Sequence, residues 1–146
     1  MPSLKFIRYK CIQVVDLSNM QLEDEQLRYL SVYLEENPAM RSLSLADNFF
    51  TDDGLVELIQ ALRNNKHLNH LNMLGCLGFT DLSLRALEDM VTEINMSLYT
   101  IELADGDFDE ELVNRIQNQA SMNRAIQENL KPRRVNLDNG LVEIQF

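Results

Sequence analysis

The residues best equipped for chemistry in this chain are two histidines, two cysteines and one dense run of acids. His67 and His70 stand close together, but they match no HExxH pattern and have no cysteine at a zinc-binding spacing. Cys11 and Cys76 form neither a CxxC motif nor any other framework, as suits a reducing compartment. The run Asp105-Gly106-Asp107-Phe108-Asp109-Glu110-Glu111 begins like a calcium loop. Glu110 and Ile116, however, occupy the sixth and twelfth positions, where an EF-hand requires glycine and glutamate. The run reads more simply as a helix start whose acids, with Glu102, could attract lysine or arginine from a partner. With no glycine-rich phosphate loop and no GxSxG elbow either, the expectation is of no catalytic residues, no metal and no cofactor. The chain reads as a non-enzyme.

Composition narrows the partners. The 146 residues suffice for one core, and 45% apolar with 25% charged residues is ordinary for a globular protein. A formal charge of −10, from 23 acids against 13 basic residues, disfavours nucleic acid and anionic lipid and favours a basic protein. Lys5, Arg8 and Lys10 at one end and Lys131, Arg133 and Arg134 near the other are local exceptions: each group is either a docking patch or a solvated end. Apolar runs of a few residues cannot span a membrane. The basic, acid-free start faintly suggests a mitochondrial presequence but lacks serine. With no secretory hydrophobic segment, Asn95-Met96-Ser97 reads as a chance sequon. The expected location is the cytoplasm, including cytoskeleton or cilium, ahead of the mitochondrion.

Self-similarity organises the rest. Ile12-x-x-Val15-x-Leu17, Met40-x-x-Leu43-x-Leu45, Leu68-x-x-Leu71-x-Met73 and Leu98-x-x-Ile101-x-Leu103 start 28, 28 and 30 residues apart. Within each unit the apolar period changes from two to about 3.6, the mark of a strand followed by an amphipathic helix. Leu43 and Leu45 lead to Phe50 and the stripe Leu55, Leu58, Ile59 and Leu62. The first unit uses Val15, Leu17, Leu22, Leu27, Leu30 and Leu34, and the fourth Ile101, Leu103, Phe108, Val113 and Ile116. The third gains a residue near Leu77-Gly78-Phe79 before Leu84, Leu87 and Val91 resume the stripe. Glu23-Asp24, Thr51-Asp52, Thr80-Asp81 and Asp109-Glu110 precede the helices as expected caps and dipole partners. Asn37, Asn65 and Asn95 stand where a left-handed residue could end one.

The stretch from Met40 to Asn65, MRSLSLADNFFTDDGLVELIQALRNN, resembles a leucine-rich repeat of the ribonuclease-inhibitor type, and the similarity covers residues 12 to 120. The resemblance implies an α/β fold: a short curved solenoid of about four repeats, parallel strands on its concave face and helices on its convex face. The family's turn asparagine is matched by Asn48 and replaced by Cys76, while Met20 and Gly106 hold that place in the outer units. The family's helical glycine is matched by Gly54.

A solenoid needs covers at both ends. Residues 1–11 are the candidate N-terminal cap through Phe6, Ile7 and Tyr9, and 121–146 the C-terminal cap, all within one domain spanning 1–146. That second cap comprises a helix carrying Met122, Ile126 and Leu130 and a hairpin turning at Asn139-Gly140. The hairpin either closes a fifth position of the sheet or docks on a partner. For binding, the useful positions are those between the inward residues of each strand: Val14, Asp16, Ser18 and Asn19; Ser42, Ser44, Ala46 and Asp47; His70, Asn72, Leu74 and Gly75; Thr100, Glu102, Ala104 and Asp105. The expected function is a protein-interaction module in a larger cytoskeletal, axonemal or organellar assembly, without small-molecule substrate; the alternative is a regulatory binder or inhibitor of a basic protein.

Overall fold

The computed structural model describes residues 12–36, 39–103, 106–130, 133–137 and 140–144. Four strand-helix pairs follow one another: β1 (Val14–Asp16) and α1 (Asp24–Glu36), β2 (Ser42–Ser44) and α2 (Asp52–Leu62), β3 (His70–Met73) and α3 (Asp81–Glu93), β4 (Thr100–Leu103) and α4 (Glu110–Asn129). The strands form one parallel sheet in sequence order. Its register follows the sequence period, for Val15, Leu43, Leu71 and Ile101 pair across the sheet and all face the core. The expected α/β solenoid of leucine-rich repeats is therefore observed, with the candidate N-terminal cap lying outside the described residues.

The core is a set of ladders, one residue per repeat. Leu22, Phe50, Phe79 and Phe108 occupy equivalent places after the strands, and three of them stack as rings. Phe50 and Phe79 centroids are 6.1 Å apart at 7°, and Phe79 and Phe108 centroids 5.2 Å apart at 17°. Leu27, Leu55, Leu84 and Leu112 form the matching ladder on the helices and are all fully buried. Gly54 is demanded by helix proximity: a Cβ there would lie 2.7 Å from the Asp24 Cα.

Polar side chains tie each repeat to the one before. Asp24 and Asp52, each the first residue of its helix, do more than face the dipole. The Asp24 carboxylate accepts the Thr51 N–H at 2.7 Å and the Thr51 hydroxyl at 2.6 Å, while Asp52 accepts the same two groups of Thr80 at 2.9 and 2.7 Å. Ser83 adds its hydroxyl to Asp52 at 2.6 Å, and Asp81 accepts the Asp109 N–H at 3.1 Å. Burial raises the Asp52 carboxyl, but the hydrogen bonds from Ser83 and Thr80 outweigh it and hold the group below the ordinary carboxylate value.

The asparagines before the strands act differently from expectation. Among the described residues the left-handed ones are Asn19, Gln21, Asp47 and Gly75, and neither Asn65 nor Asn95 is one of them. Instead they are buried connectors. Asn65 Oδ1 accepts the His67 and Leu68 N–H groups, both at 2.8 Å, while its Nδ2 donates to the Leu34 carbonyl. Asn95 repeats this with Ser97, Leu98 and the carbonyls of Leu62 and Asn65. Asn123 extends the series from α4 by donating to Val91 and Asn95. A buried amide that joins two backbones satisfies groups that would otherwise be stranded. Asn37 lies outside the described residues.

The C-terminal part departs from expectation twice. Helix α4 is continuous, and its inward face is Leu112, Ile116, Ala120 and Asn123; Met122, Ile126 and Leu130 are exposed and Val113 is only half-buried. The beginning of α4 follows the repeat stripe, but beyond it the face is chosen by the Asn123 bonds to the preceding repeat. Strands β5 (Arg133–Leu137) and β6 (Gly140–Ile144) pair antiparallel as a separate two-stranded sheet, not as a fifth position of the solenoid sheet. Leu137 pairs with Gly140, which is thus the first residue of β6; the rest of the expected Asn139-Gly140 turn lies outside the described residues.

Candidate protein-binding face

Alternation along the strands delivers the polar stripe. With the central residue of each strand turned inward, Val14, Ser42, His70 and Thr100 form one open row and Asp16, Ser44, Asn72 and Glu102 the next. These residues are exposed or half-exposed, so the structure brings together the strand positions singled out in the sequence. Asp105 and Ala104 lie outside the described residues, and Ala46 is buried.

Two hydrogen-bonded sets fix this face. His70 bridges three strands: its Nδ1 is 3.2 Å from the Ser42 hydroxyl and its Nε2 is 2.6 Å from the Glu102 carboxylate. Nearer β1, the Ser18 and Ser44 hydroxyls are 2.7 Å apart, and the Ser18 N–H donates to Asp16 at 3.0 Å. The Ser18 side chain, then its N–H, lowers the Asp16 carboxyl.

The order Ser42, His70, Glu102 superficially suggests a nucleophile, a base and an acid, but the backbone N–H groups of Ser42 and His70 are engaged in the sheet. A hydrolytic site needs N–H groups aimed at a developing oxyanion. Here the Ser42 N–H donates to the Gln13 carbonyl, and the His70 N–H to that of Arg41. What the set can do is hold three side chains in fixed rotamers across the sheet, which lowers the entropy lost when a partner docks.

The turn positions have a backbone task. Asn19, Asp47 and Gly75 are equivalent residues with φ of 53°, 56° and 73°, the left-handed region that asparagine, aspartate and glycine tolerate best. The Asn19 and Asp47 N–H groups still donate to the next repeat, at the Ala46 and Leu74 carbonyls. Sequence spacing placed these residues on the face; their type is explained by the turn.

Beneath the turn lies the position that sequence reading assigned to a satisfying side chain. Asn48 Oδ1 accepts the Met20 and Leu22 N–H groups at 3.1 and 3.0 Å, and Nδ2 donates to the carbonyls of Leu17, Leu45 and Ala46. Most of these partners belong to the preceding repeat. The first repeat can therefore carry Met20 there without loss, because Asn48 serves its turn. In the third repeat Cys76 donates its thiol to the Leu45 carbonyl at 3.0 Å. Burial pushes that thiol up, which keeps it protonated and a donor, not a nucleophile.

Among the described residues no group of three or more His, Cys, Asp or Glu is placed to hold a metal ion, and no helix is long and apolar enough to cross a membrane. Depressions lie along the solenoid's edges. One, of about 380 Å³, is at the strand-entry edge beside Arg41, Lys66 and Tyr99; another, of about 400 Å³, is at the strand-exit edge between Leu77 and Phe108.

Fold and face together define a leucine-rich-repeat-like solenoid. No known family profile matches the sequence. Among solved structures, the chain is similar in fold to the tropomodulin C-terminal domain of Caenorhabditis elegans, with a TM-score of 0.73 and 18% identity over 84% of this chain and 73% of that one. It is likewise similar to actin-binding site 2 of leiomodin-1, with a TM-score of 0.68 and 19% identity over 85% of this chain and 70% of that one. At such identities the likeness establishes the fold alone, without singling out the ribonuclease-inhibitor type of repeat.

Proposed function

We propose that this chain is a non-enzymatic protein-interaction module, a structural or assembly subunit of a larger cytoplasmic complex, and that the cytoskeleton is the first place to seek its partner. The observation that carries the reading is the polar sheet face, where side chains hydrogen-bond to one another across strands. The cytoskeletal direction is supported by the resemblance to a leiomodin-1 segment described as an actin-binding site. Asp16, Ser18, Ser42, Ser44, His70, Asn72, Thr100 and Glu102 are the proposed contacts. Asn19, Asp47 and Leu74 flank them at the turns, and Asp105 continues the series in sequence. The ribonuclease-inhibitor type of repeat remains part of the proposal.

A second reading, a regulatory binder of a basic protein, is favoured by the acid-rich strand-exit loops. Crosslinking followed by mass spectrometry on cell extract tests both. Repeated links to subunits of one large particle support the assembly role, and links to a single free basic protein support the regulator. Pelleting with filamentous actin tests the cytoskeletal direction: saturable co-sedimentation supports it, and none at micromolar concentration rules out actin filaments as the partner.

A further inference from the structure

The loops leaving the strands differ from the rest of the molecule in charge. Segments 17–25, 45–53, 74–82 and 106–111 together contain eleven acidic residues and no lysine, arginine or histidine. Asp24, Asp52 and Asp81 are spent on the repeat-to-repeat bonds described above. Others, including Asp47, Asp53, Asp107 and Glu110, are exposed. Carboxylates gathered along one edge reinforce each other's field and attract a cationic partner.

The same edge displays apolar side chains that the fold does not use. Phe49 is 68% exposed and Leu77 72% exposed, although each neighbours a buried member of the core. They stand on touching backbones: a Cβ on Gly78 would run into the Phe50 carbonyl oxygen and lie 3.5 Å from that of Phe49. Next to Leu77 is the depression of about 400 Å³, whose walls include Phe79, Phe108 and Asp107. Gly106 keeps it open, because a side chain there would begin 2.8 Å from the Phe108 ring. Exposed apolar groups beside a cavity, rimmed by charge of one sign, have the anatomy of an interface core and its rim.

We propose that the strand-exit edge is a docking surface for a basic polypeptide segment that inserts an aliphatic or aromatic anchor beside Leu77 and Phe108 and sets flanking lysines or arginines against Asp53, Asp107 and Glu110. The occupant is fixed by complementarity. The apolar cavity selects the anchor, and the cation-free acidic rim selects the flanks while repelling acidic segments. This deepens the protein-binding reading by assigning part of the contact to the edge.

The test uses the full chain and synthetic peptides in fluorescence anisotropy. One peptide carries lysines around a Leu-Phe pair, a second replaces the pair by serines, and a third replaces the lysines by glutamates. The first is expected to bind with an affinity that falls as salt is raised, and the other two at least tenfold more weakly. Phe49→Ser with Leu77→Ser should weaken the first peptide at least tenfold, whereas Gln60→Ala, exposed on helix α2 away from both the edge and the sheet face, should leave it unchanged. Asp53→Lys with Asp107→Lys should weaken the lysine peptide and strengthen the glutamate peptide. All these side chains are exposed or half-exposed, and unchanged circular dichroism checks the fold of each variant. Equal binding of the serine peptide, no binding of the first peptide, or a loss from Gln60→Ala as large as that from the edge pair would overturn the proposal. Crosslinks from extract would still report on the protein-binding reading, so the two fail separately.

Discussion

Truncating Asn48 should cost this protein a large share of its stability. Its side chain is buried and makes five hydrogen bonds to backbone groups of two repeats. After Asn48→Ala the Leu45 carbonyl still has the Cys76 thiol, and the Ala46 carbonyl still has the Asn19 N–H. The Leu17 carbonyl and the Leu22 N–H, on buried residues, lose their described partners, and the half-buried Met20 N–H can turn to water. At about 1–3 kcal/mol for each stranded buried group, the loss is about 2–6 kcal/mol. A domain of this kind has about 5–15 kcal/mol in total. Cys76→Ala is the internal control. The Leu45 carbonyl it bonds keeps the Asn48 amide at 2.9 Å, so about 1–2 kcal/mol is expected, mostly from the lost sulfur contacts. Urea unfolding followed by circular dichroism at helical wavelengths measures both, with an unchanged slope and a lower midpoint. If Asn48→Ala costs under about 1 kcal/mol, or no more than Cys76→Ala, the assignment of Asn48 as the bond between two turns is wrong.

Two further outcomes follow from the repeat contacts. Gly54→Ala raises helix propensity by about 1 kcal/mol, but its Cβ would lie 2.7 Å from the Asp24 Cα, so calorimetry should show a lower melting temperature; a higher one would mean that α1 and α2 are not this close. Asp52 has a folded value below the ordinary carboxyl value of about 3.9. Its contribution is therefore complete above that value and lost as pH falls through the folded one. Asp52→Asn should destabilise the protein at neutral pH, and its difference from wild type should shrink towards pH 2 in urea titrations; a difference that grows on acidification contradicts the bonds from Ser83 and Thr80.

The sheet and its register were legible because the period is long and nearly constant. A 28-residue offset takes Val15 to Leu43 and Leu71, the pairs observed, and the two residues by which the third unit is longer, one of them near Gly78, fall between β3 and β4 and leave those strands in step. The turn roles of Asn48 and Cys76 came instead from the resemblance to leucine-rich repeats, whose turn asparagine the one matches and the other replaces. Less was readable wherever a side chain acts on the neighbouring repeat. Asp24 and Asp52 have the composition of ordinary helix starts, and only three-dimensional stacking reveals that they hold Thr51 and Thr80. Asn65 and Asn95 suggested left-handed stops because asparagine serves both purposes; Asn123, which extends their ladder from within α4, was the signal that could have distinguished them. Beyond Ile116 no following repeat constrains the pattern, so Met122, Ile126 and Leu130 offered a plausible apolar stripe that the packing does not use. Within the candidate face, spacing identified the exposed rows, but the bridge from Ser42 through His70 to Glu102 depends on the diagonal reach of two side chains across the sheet.

The central claim, that this solenoid works by holding another protein, is tested most directly by size fractionation of extract from cells that express it, at low and at high salt. The expected result is that most of the chain travels in a particle far larger than its own 16.9 kDa and stays there in high salt. Elution of the whole population as the free chain at both salt concentrations, with no crosslinked neighbour, would contradict it.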